Sequence, residues 1–369
     1  MNINSIIPYY PTYQILDNII SEDKKFINLF IDLKACATGL FVKDIISEII
    51  DNTDISNTID TSIFSSLLFM LIYHKKYSLK KNKKIRFLIF SEMGGSYYHK
   101  NIFKKYKANR HINDFYLLDM ASMEKLNNIV KKNILLMEKF LNKFPNVYYF
   151  NMRNLEADFI PYFLIKYTNI SKDDFFVNII YSSDHDMKQC LSLPNTKIYQ
   201  RKRNSNNILS EGMAIQSEIK NKKKYDRIDD KYFPLFLSIV GDSSDEIPGI
   251  NGIGPARCIK ILPDVIKIFG DIEDIEKNIM ENGNLKSHSD DVKNKVIDED
   301  IIVRNLKLIS FNILSQKILN SSKEYFANNK KYIKSILKKE EILNPDNIIE
   351  LLIKMNIDFY EDDIYYLFE

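Results

Sequence analysis

The sequence predicts an α/β protein: a mostly parallel central sheet flanked by helices, followed by a second, mostly helical region. Three observations carry that expectation. Short apolar runs rich in β-branched and aromatic residues recur through the first part of the chain, each bounded by polar or turn residues. Helical stretches separate them, and from about Asp229 the strand signal nearly vanishes. An order of strand, helix, strand puts successive strands parallel, with helices on both faces of the sheet.

The runs at 26–31, 85–90, 147–150, 175–181 and 197–199 read as buried strands, and 63–74, 123–144 and 155–167 as helices between them. A polar stretch near 283–291 reads as a loop inside the second region, and no internal repeat is found. With 369 residues, 45% hydrophobic and 27% charged, the chain has globular composition and room for two domains. No apolar run approaches the roughly 20 residues of a membrane span, and the N-terminus lacks a basic stretch followed by an apolar one. The expectation is a soluble, cytoplasmic protein. Cys36, Cys190 and Cys258 are far apart with no CxxC, and none of the 5 histidines forms an HxxxH pair, which disfavours disulfides, structural zinc and a His-ligated metal.

Charge is nearly balanced, 52 basic against 49 acidic side chains for a net of +3, so nucleic-acid binding requires segregated charge. Basic clusters lie at 75–86, 201–203 and 220–224, each of which alone reads as a solvated face or loop.

The acids are better placed. Asp32 ends the first strand, Glu92 follows the second, Glu156 and Asp158 the third, and Asp184 and Asp186 the fourth. Strand C-termini of an open parallel sheet share one edge, where ligand sites gather. A single acid after a strand reads as a helix N-cap; repetition at four strand ends does not. Clustered carboxylates need cations, and an all-oxygen donor set selects hard ions such as Mg²⁺ or Mn²⁺. On a helix Glu156 and Asp158 would splay apart, unless they lie near its first turn.

The string Gly241-Asp242-Ser243-Ser244-Asp245-Glu246-Ile247-Pro248-Gly249-Ile250-Asn251-Gly252-Ile253-Gly254-Pro255 carries a second signal. Gly252 and Gly254 with Pro255 opening a helix form a helix-hairpin-helix signature. Its glycines admit a duplex phosphate to the backbone, and the helix N-terminus offers free N–H groups, a contact blind to base sequence.

With this string the chain resembles the 5′-nuclease superfamily of flap endonucleases and 5′-3′ exonucleases, most of all the phage RNase H-type branch. The resemblance runs from about Phe26 to Leu262, with later likeness in the stretch beginning at Arg304. Phe30-Ile31-Asp32, Ser91-Glu92-Met93-Gly94-Gly95-Ser96, Leu155-Glu156-Ala157-Asp158 and Ser182-Ser183-Asp184-His185-Asp186 look like its acidic blocks. Tyr106-Lys107-Ala108-Asn109-Arg110 looks like the block at the base of its helical arch, and Asp242 and Asp245 are similar to its last acidic pair. There are departures. Glu92 replaces the usual Asp, Phe159 the third acid of the bacterial block, His99 an Arg of phage relatives, and Ala256 a Lys, with Arg257 beside it.

The resemblance implies a PIN-like catalytic domain over 1–228, with a helical arch around 97–145. A DNA-binding region over 229–369 would follow, with its helix-hairpin-helix (H3TH) motif around 241–263. It further implies two Mg²⁺ ions, replaceable by Mn²⁺, on Asp32, Glu92, Glu156, Asp158, Asp184, Asp186, Asp242 and Asp245. Lys107 and Arg110 would face the scissile phosphate, and Gly252, Gly254, Arg257, Lys260 and His99 would touch DNA, with K⁺ at the hairpin. Tyr97, Tyr98, Phe103, Tyr106, Phe115 and Tyr116 could stack on bases or pack in the core. The implied activity is hydrolysis at a 5′ flap or 5′ end of DNA or in an RNA–DNA hybrid, by a monomer working with a sliding clamp or single-strand-binding protein in replication or repair. Two other classes stay open: a catalytically silent replisome accessory protein and a PIN-type ribonuclease. The terminal cluster Ile364, Tyr365, Leu367 and Phe368 reads either as a packed last element against the helical region or as a partner anchor.

Overall fold

A computed structural model describes residues 11–33, 62–93, 96–108, 120–171, 174–202, 205–219, 228–286, 298–339, 341–355, 357 and 359–369. All five expected strands are present: β1 (Phe26–Asp32), β2 (Lys84–Met93), β3 (Val147–Arg153), β4 (Phe176–Tyr181) and β5 (Thr196–Lys202). They pair in parallel in the order β3-β2-β1-β4-β5, and β6 (Ser205–Leu209), not expected, closes the edge antiparallel to β5. Its sequence, Ser-Asn-Asn-Ile-Leu, has no apolar alternation to betray a strand; backbone pairing with β5 places it.

The first region carries α1 (Tyr13–Ile19), α2 (Ser62–Lys80), α3 (Tyr97–Ile102), α4 (Met120–Phe140) and α5 (Ile160–Tyr167). The helix expected over 155–167 begins only at Ile160. Asn154, with φ of 63°, turns the chain out of β3, and Pro161 sits in the first turn of α5, where its missing N–H costs nothing. The second region continues with α6 (Phe233–Val240), a two-strand hairpin of β7 (Gly241–Asp242) and β8 (Ile247–Pro248), α7 (Pro255–Phe269) and α8 (Ile272–Asn282). Then come α9 (Glu299–Ile309), α10 (Phe311–Asn320), α11 (Glu324–Lys338), α12 (Pro345–Lys354) and α13 (Glu361–Tyr366). No described helix is long and apolar enough to cross a membrane.

Alternation along the strands divides the core into two clusters. Ile27, Leu29 and Ile31 of β1 face α1, α2, α4, α12 and α13. Phe30 faces the other way, with Leu88, Phe90, Phe150 and Ile180, into an apolar cluster that continues through α5 to Phe236, Leu262 and Leu306. Apolar packing is therefore continuous across the 228/229 position. The chain end crosses to the opposite face: Ile364 and Leu367 are buried there, Phe368 packs 5.8 Å from Phe144, and Asp363 pairs with Lys76 of α2 at 2.6 Å. These residues form a packed last element, seated both on α2 and on α12, the preceding helix of the second region, where the Tyr365 hydroxyl donates to Asp346 Oδ1 at 2.6 Å.

Candidate active site

Side-chain parity explains why acids from both regions meet. Asp32 and Glu92 share the faces of Phe30 and Phe90, so both carboxylates point to the side where α6 and the β7–β8 hairpin pack. Past β4 the chain folds on its own side chains. Ser182 Oγ donates to Asp32 Oδ2 at 2.7 Å and accepts from the Asp184 N–H at 3.0 Å, while Asp184 Oδ1 accepts from the Asp186 N–H at 2.9 Å. Glu156 and Asp158 lie in the turn ahead of α5, not on a helix, so helical splay does not separate them.

All eight expected carboxylates fall into two groups that share a member. Burial pushes the Asp158 carboxyl well above the usual range, and Asp184, Asp32, Glu92 and Glu156 add to the push in that order. Asp186 is raised in the same way by burial, then by Asp184, Asp245 and Asp242, with Lys107 opposing. Asp184 thus belongs to both groups. Burial also lifts Glu156, but Lys107 leads an opposing pull, joined by His99 and Tyr106, that brings it down to about 2.

Lys107 Nζ lies 2.5 Å from Glu156 Oε1 and 3.1 Å from Asp245 Oδ2. Beside it the Tyr106 hydroxyl lies 2.8 Å from Glu156 Oε2 and 2.9 Å from Asp245 Oδ2. A phenol has one proton, so these two acceptors share it. Lys107, Asn154 and Glu246 at the rim all take left-handed backbone conformations, with φ of 52°, 63° and 59°. Such residues cost on the order of 1 kcal/mol or more apiece and persist where surrounding structure imposes them, as at functional sites.

The donor set fits divalent cations. It is dominated by carboxylate oxygens, two of its carboxyls are raised by burial and then by their acidic neighbours, and buried Asp186 Oδ1 has no hydrogen-bond partner. Donor atoms of His185, Asp186 and Asp242 lie within 4.8 Å of one another, close enough to hold one ion. Asp242 Oδ1 is fixed by the Ser244 N–H at 2.8 Å and Ser244 Oγ at 2.6 Å.

On the second region, Gly241 and Gly249 are required by close backbone approach: a Cβ on Gly241 would meet Gly249 N at 2.3 Å. Gly252 adopts a φ of 74°, and Arg257 Nη1 donates to its carbonyl at 3.2 Å. Gly254 precedes Pro255 at the start of α7, and a Cβ added to it would meet nothing within 4 Å, so its face is open. Gly252, Gly254, Arg257 and Lys260 are all exposed. Asn305 Nδ2 donates to Ser238 O at 2.8 Å and Pro248 O at 2.9 Å, tying the hairpin to α6 and α9.

Some expected residues lie elsewhere. Arg110, Phe115 and Tyr116 are outside the described residues. His99 is only 3% exposed, stacked on Tyr106 at 4.9 Å and bonded to Ser96, which corrects the expectation of a surface phosphate contact. Tyr98 and Tyr106 are buried in the core, Phe103 is half-buried, and Tyr97 is exposed. Of the arch, α4 packs on α2 from Ile129 onward, and Asn133 Oδ1 accepts from the Phe64 N–H at 3.1 Å. Sequence reasoning missed His185, having set aside histidine ligation for want of HxxxH. Its place between two expected acids was the available signal.

No family model matches the chain. It is 30% identical over 167 residues to a 5′-3′ exonuclease of Buchnera aphidicola subsp. Baizongia pistaciae (strain Bp), covering 45% of this chain and 49% of that relative. Over 89 residues it is 32% identical to a 5′-3′ exonuclease of Aquifex aeolicus (strain VF5), covering 22% and 29%. The chain thus spans about half, or less, of the length of these curated relatives. In fold it is similar to the bacteriophage T5 5′-exonuclease with bound zinc, with a TM-score of 0.54 at 17% identity over 84% of this chain and 99% of that one. The T5 flap endonuclease in a complex with DNA and metal ions gives 0.54 at 18%, over 85% and 99%. The resemblance to the 5′-nuclease superfamily read from the sequence is borne out in both sequence and fold.

Proposed function

We propose that this chain is a structure-specific 5′ nuclease that hydrolyses phosphodiesters at a 5′ flap or 5′ end of DNA, or in an RNA–DNA hybrid, leaving 5′-phosphate products. The observation that carries the reading is the meeting of eight carboxylates from four strand ends and the β7–β8 hairpin at one edge of the sheet, with Asp186 Oδ1 buried and unpartnered. Asp32, Glu92, Asp158 and Asp184 would hold one Mg²⁺, and Asp184, Asp186 and Asp242 would hold the second. When bound, such ions supply water activation and charge neutralisation of the phosphate.

The chain's own groups do the rest. Tyr106 and Lys107 hold Glu156 and Asp245 in place, and Lys107, which leads the pull that lowers the Glu156 carboxyl, presents a fixed positive charge among the acids. Arg110, three residues on, is assigned to the same phosphate. Gly252, Gly254, Arg257 and Lys260 would receive the duplex backbone, with K⁺ at the Gly252 turn. The working division is a catalytic part over 1–228, including an arch around 97–145, and a duplex-binding part over 229–369. A monomeric cytoplasmic enzyme of replication or repair, with a sliding clamp or single-strand-binding protein as partner, completes the reading.

The test is incubation with labelled 5′-flap, nicked duplex and RNA–DNA hybrid, with and without Mg²⁺. Mg²⁺-dependent cleavage at the 5′ side is expected. Tight flap binding with no cleavage in Mg²⁺ or Mn²⁺ would favour a silent accessory protein, and cleavage confined to single-stranded RNA would favour a PIN-type ribonuclease.

A further inference from the structure

His185 stands between two acids of the fourth block, yet an all-oxygen reading of the site gives it no task. Its Nε2 lies 2.9 Å from Glu218 Oε1, and the same carboxylate also binds Lys188, whose side chain is 8% exposed. Glu218 comes from the turn Gln216–Glu218, beyond the sheet edge, so two separate chain segments cooperate to hold one imidazole. The ring packs edge-on against Phe233 at 5.5 Å, which leaves it little freedom to turn. A carboxylate on one ring nitrogen fixes the proton there and leaves the other nitrogen with a lone pair, which is the usual arrangement behind a metal-bound histidine.

The same residue joins Asp186 and Asp242, with a donor atom of each of the three within 4.8 Å of the others. Asp186 Oδ1, buried with no partner, independently marks this spot as missing a ligand. From this geometry we infer that His185 is a nitrogen ligand, through Nδ1, of the ion shared with Asp186 and Asp242, and that Glu218 is its positioning residue. The inference rests on the metal-site reading above and goes beyond it: the second ion has a mixed nitrogen and oxygen donor set, and the first an oxygen-only set. An imidazole ligand shifts preference from Mg²⁺ toward Mn²⁺ and later first-row ions. The two positions therefore differ in metal selectivity, with the His185 position filling first in Mn²⁺.

The experiment is pulsed electron paramagnetic resonance of the full chain titrated with Mn²⁺, run beside calorimetric titration. Imidazole nitrogen modulation is expected in the unaltered protein. It should vanish in His185→Gln, while Mn²⁺ still binds through the carboxylates with affinity for the second ion lowered by about 10-fold or more. His185→Asn takes its place if the first variant fails to fold, as judged by circular dichroism and thermal melting. If Mn²⁺ binds to the unaltered protein without nitrogen modulation, or if the modulation survives loss of His185, the ligand assignment is overturned and the carboxylate site stands. If no Mn²⁺ binds at all, both are overturned.

Discussion

Replacing Lys107 with methionine keeps the length of the side chain and removes its charge from between Glu156 and Asp245, where it is 11% exposed. Its worth can be worked in two ways. Breaking a buried ion pair by deleting one partner costs about 3–5 kcal/mol. Independently, a Glu156 carboxyl held at about 2 and not at its ordinary 4.5 favours the folded protein by about 3 kcal/mol at neutral pH, with Lys107 the leading cause that lowers it. The sign follows from the depressed value: the contribution is full above pH 4.5 and is lost as pH falls toward 2. Lys107→Met should therefore be about 3 kcal/mol less stable than the unaltered chain in urea melts at pH 7 in EDTA. The gap should narrow as the pH falls toward 2, because Glu156 of the variant, raised by burial and without Lys107, takes up its proton at higher pH than Glu156 of the parent. Mg²⁺ should restore the variant more than the parent, because ions replace the missing charge. Equal stability at neutral pH, or a deficit of constant size down to strongly acidic pH, would refute the reasoning.

Asp184→Asn, at the carboxylate shared by both acid groups, should lower cleavage in saturating Mg²⁺ by about 100-fold or more while flap binding in gel-shift assays is kept or tightened. Gly254→Val should fold with little change in melting temperature, since no atom lies within 4 Å of the added Cβ, yet weaken duplex affinity and flatten its salt dependence while hydrolysis of a short single strand is spared. Deleting residues 362–369 removes buried Ile364 and Leu367, worth about 2–5 kcal/mol each, together with the Lys76–Asp363 pair; a clear fall in melting temperature is expected, and an unchanged one would return these residues to the role of a partner anchor.

What was legible in the sequence follows what local pattern encodes. The five parallel strands contain short runs rich in β-branched and aromatic residues, and Asp32, Glu92 and Asp184 could be placed at one edge because parallel topology puts all strand C-termini there. Glu156 and Asp158 fall in a turn and not in the helix expected over 155–167, because Asn154 turns the chain out of β3 and α5 begins only at Ile160, with Pro161 in its first turn. Strand β6 was missed because its pairing with β5 is a tertiary feature and only Leu209 at its end is buried apolar. Tyr106 and His99 were open to misreading for another reason. An aromatic beside a basic block reads as a stacking surface until tertiary packing turns it inward, where Tyr106 bridges Glu156 and Asp245. The docking of α13 on α2 depends on a crossing from one sheet face to the other that no local pattern records.

The most direct test of the central claim, that the acid-lined sheet edge is a divalent-metal site, is calorimetric titration of the metal-free protein with Mn²⁺ at neutral pH, compared with Asp158→Asn/Asp186→Asn. Two ions per chain are expected in the unaltered protein, with affinity falling as the pH is lowered, because burial and neighbouring carboxylates raise Asp158 and Asp186. Binding should be lost in the double variant. Absence of binding, or binding of equal stoichiometry and affinity in the variant, would contradict it.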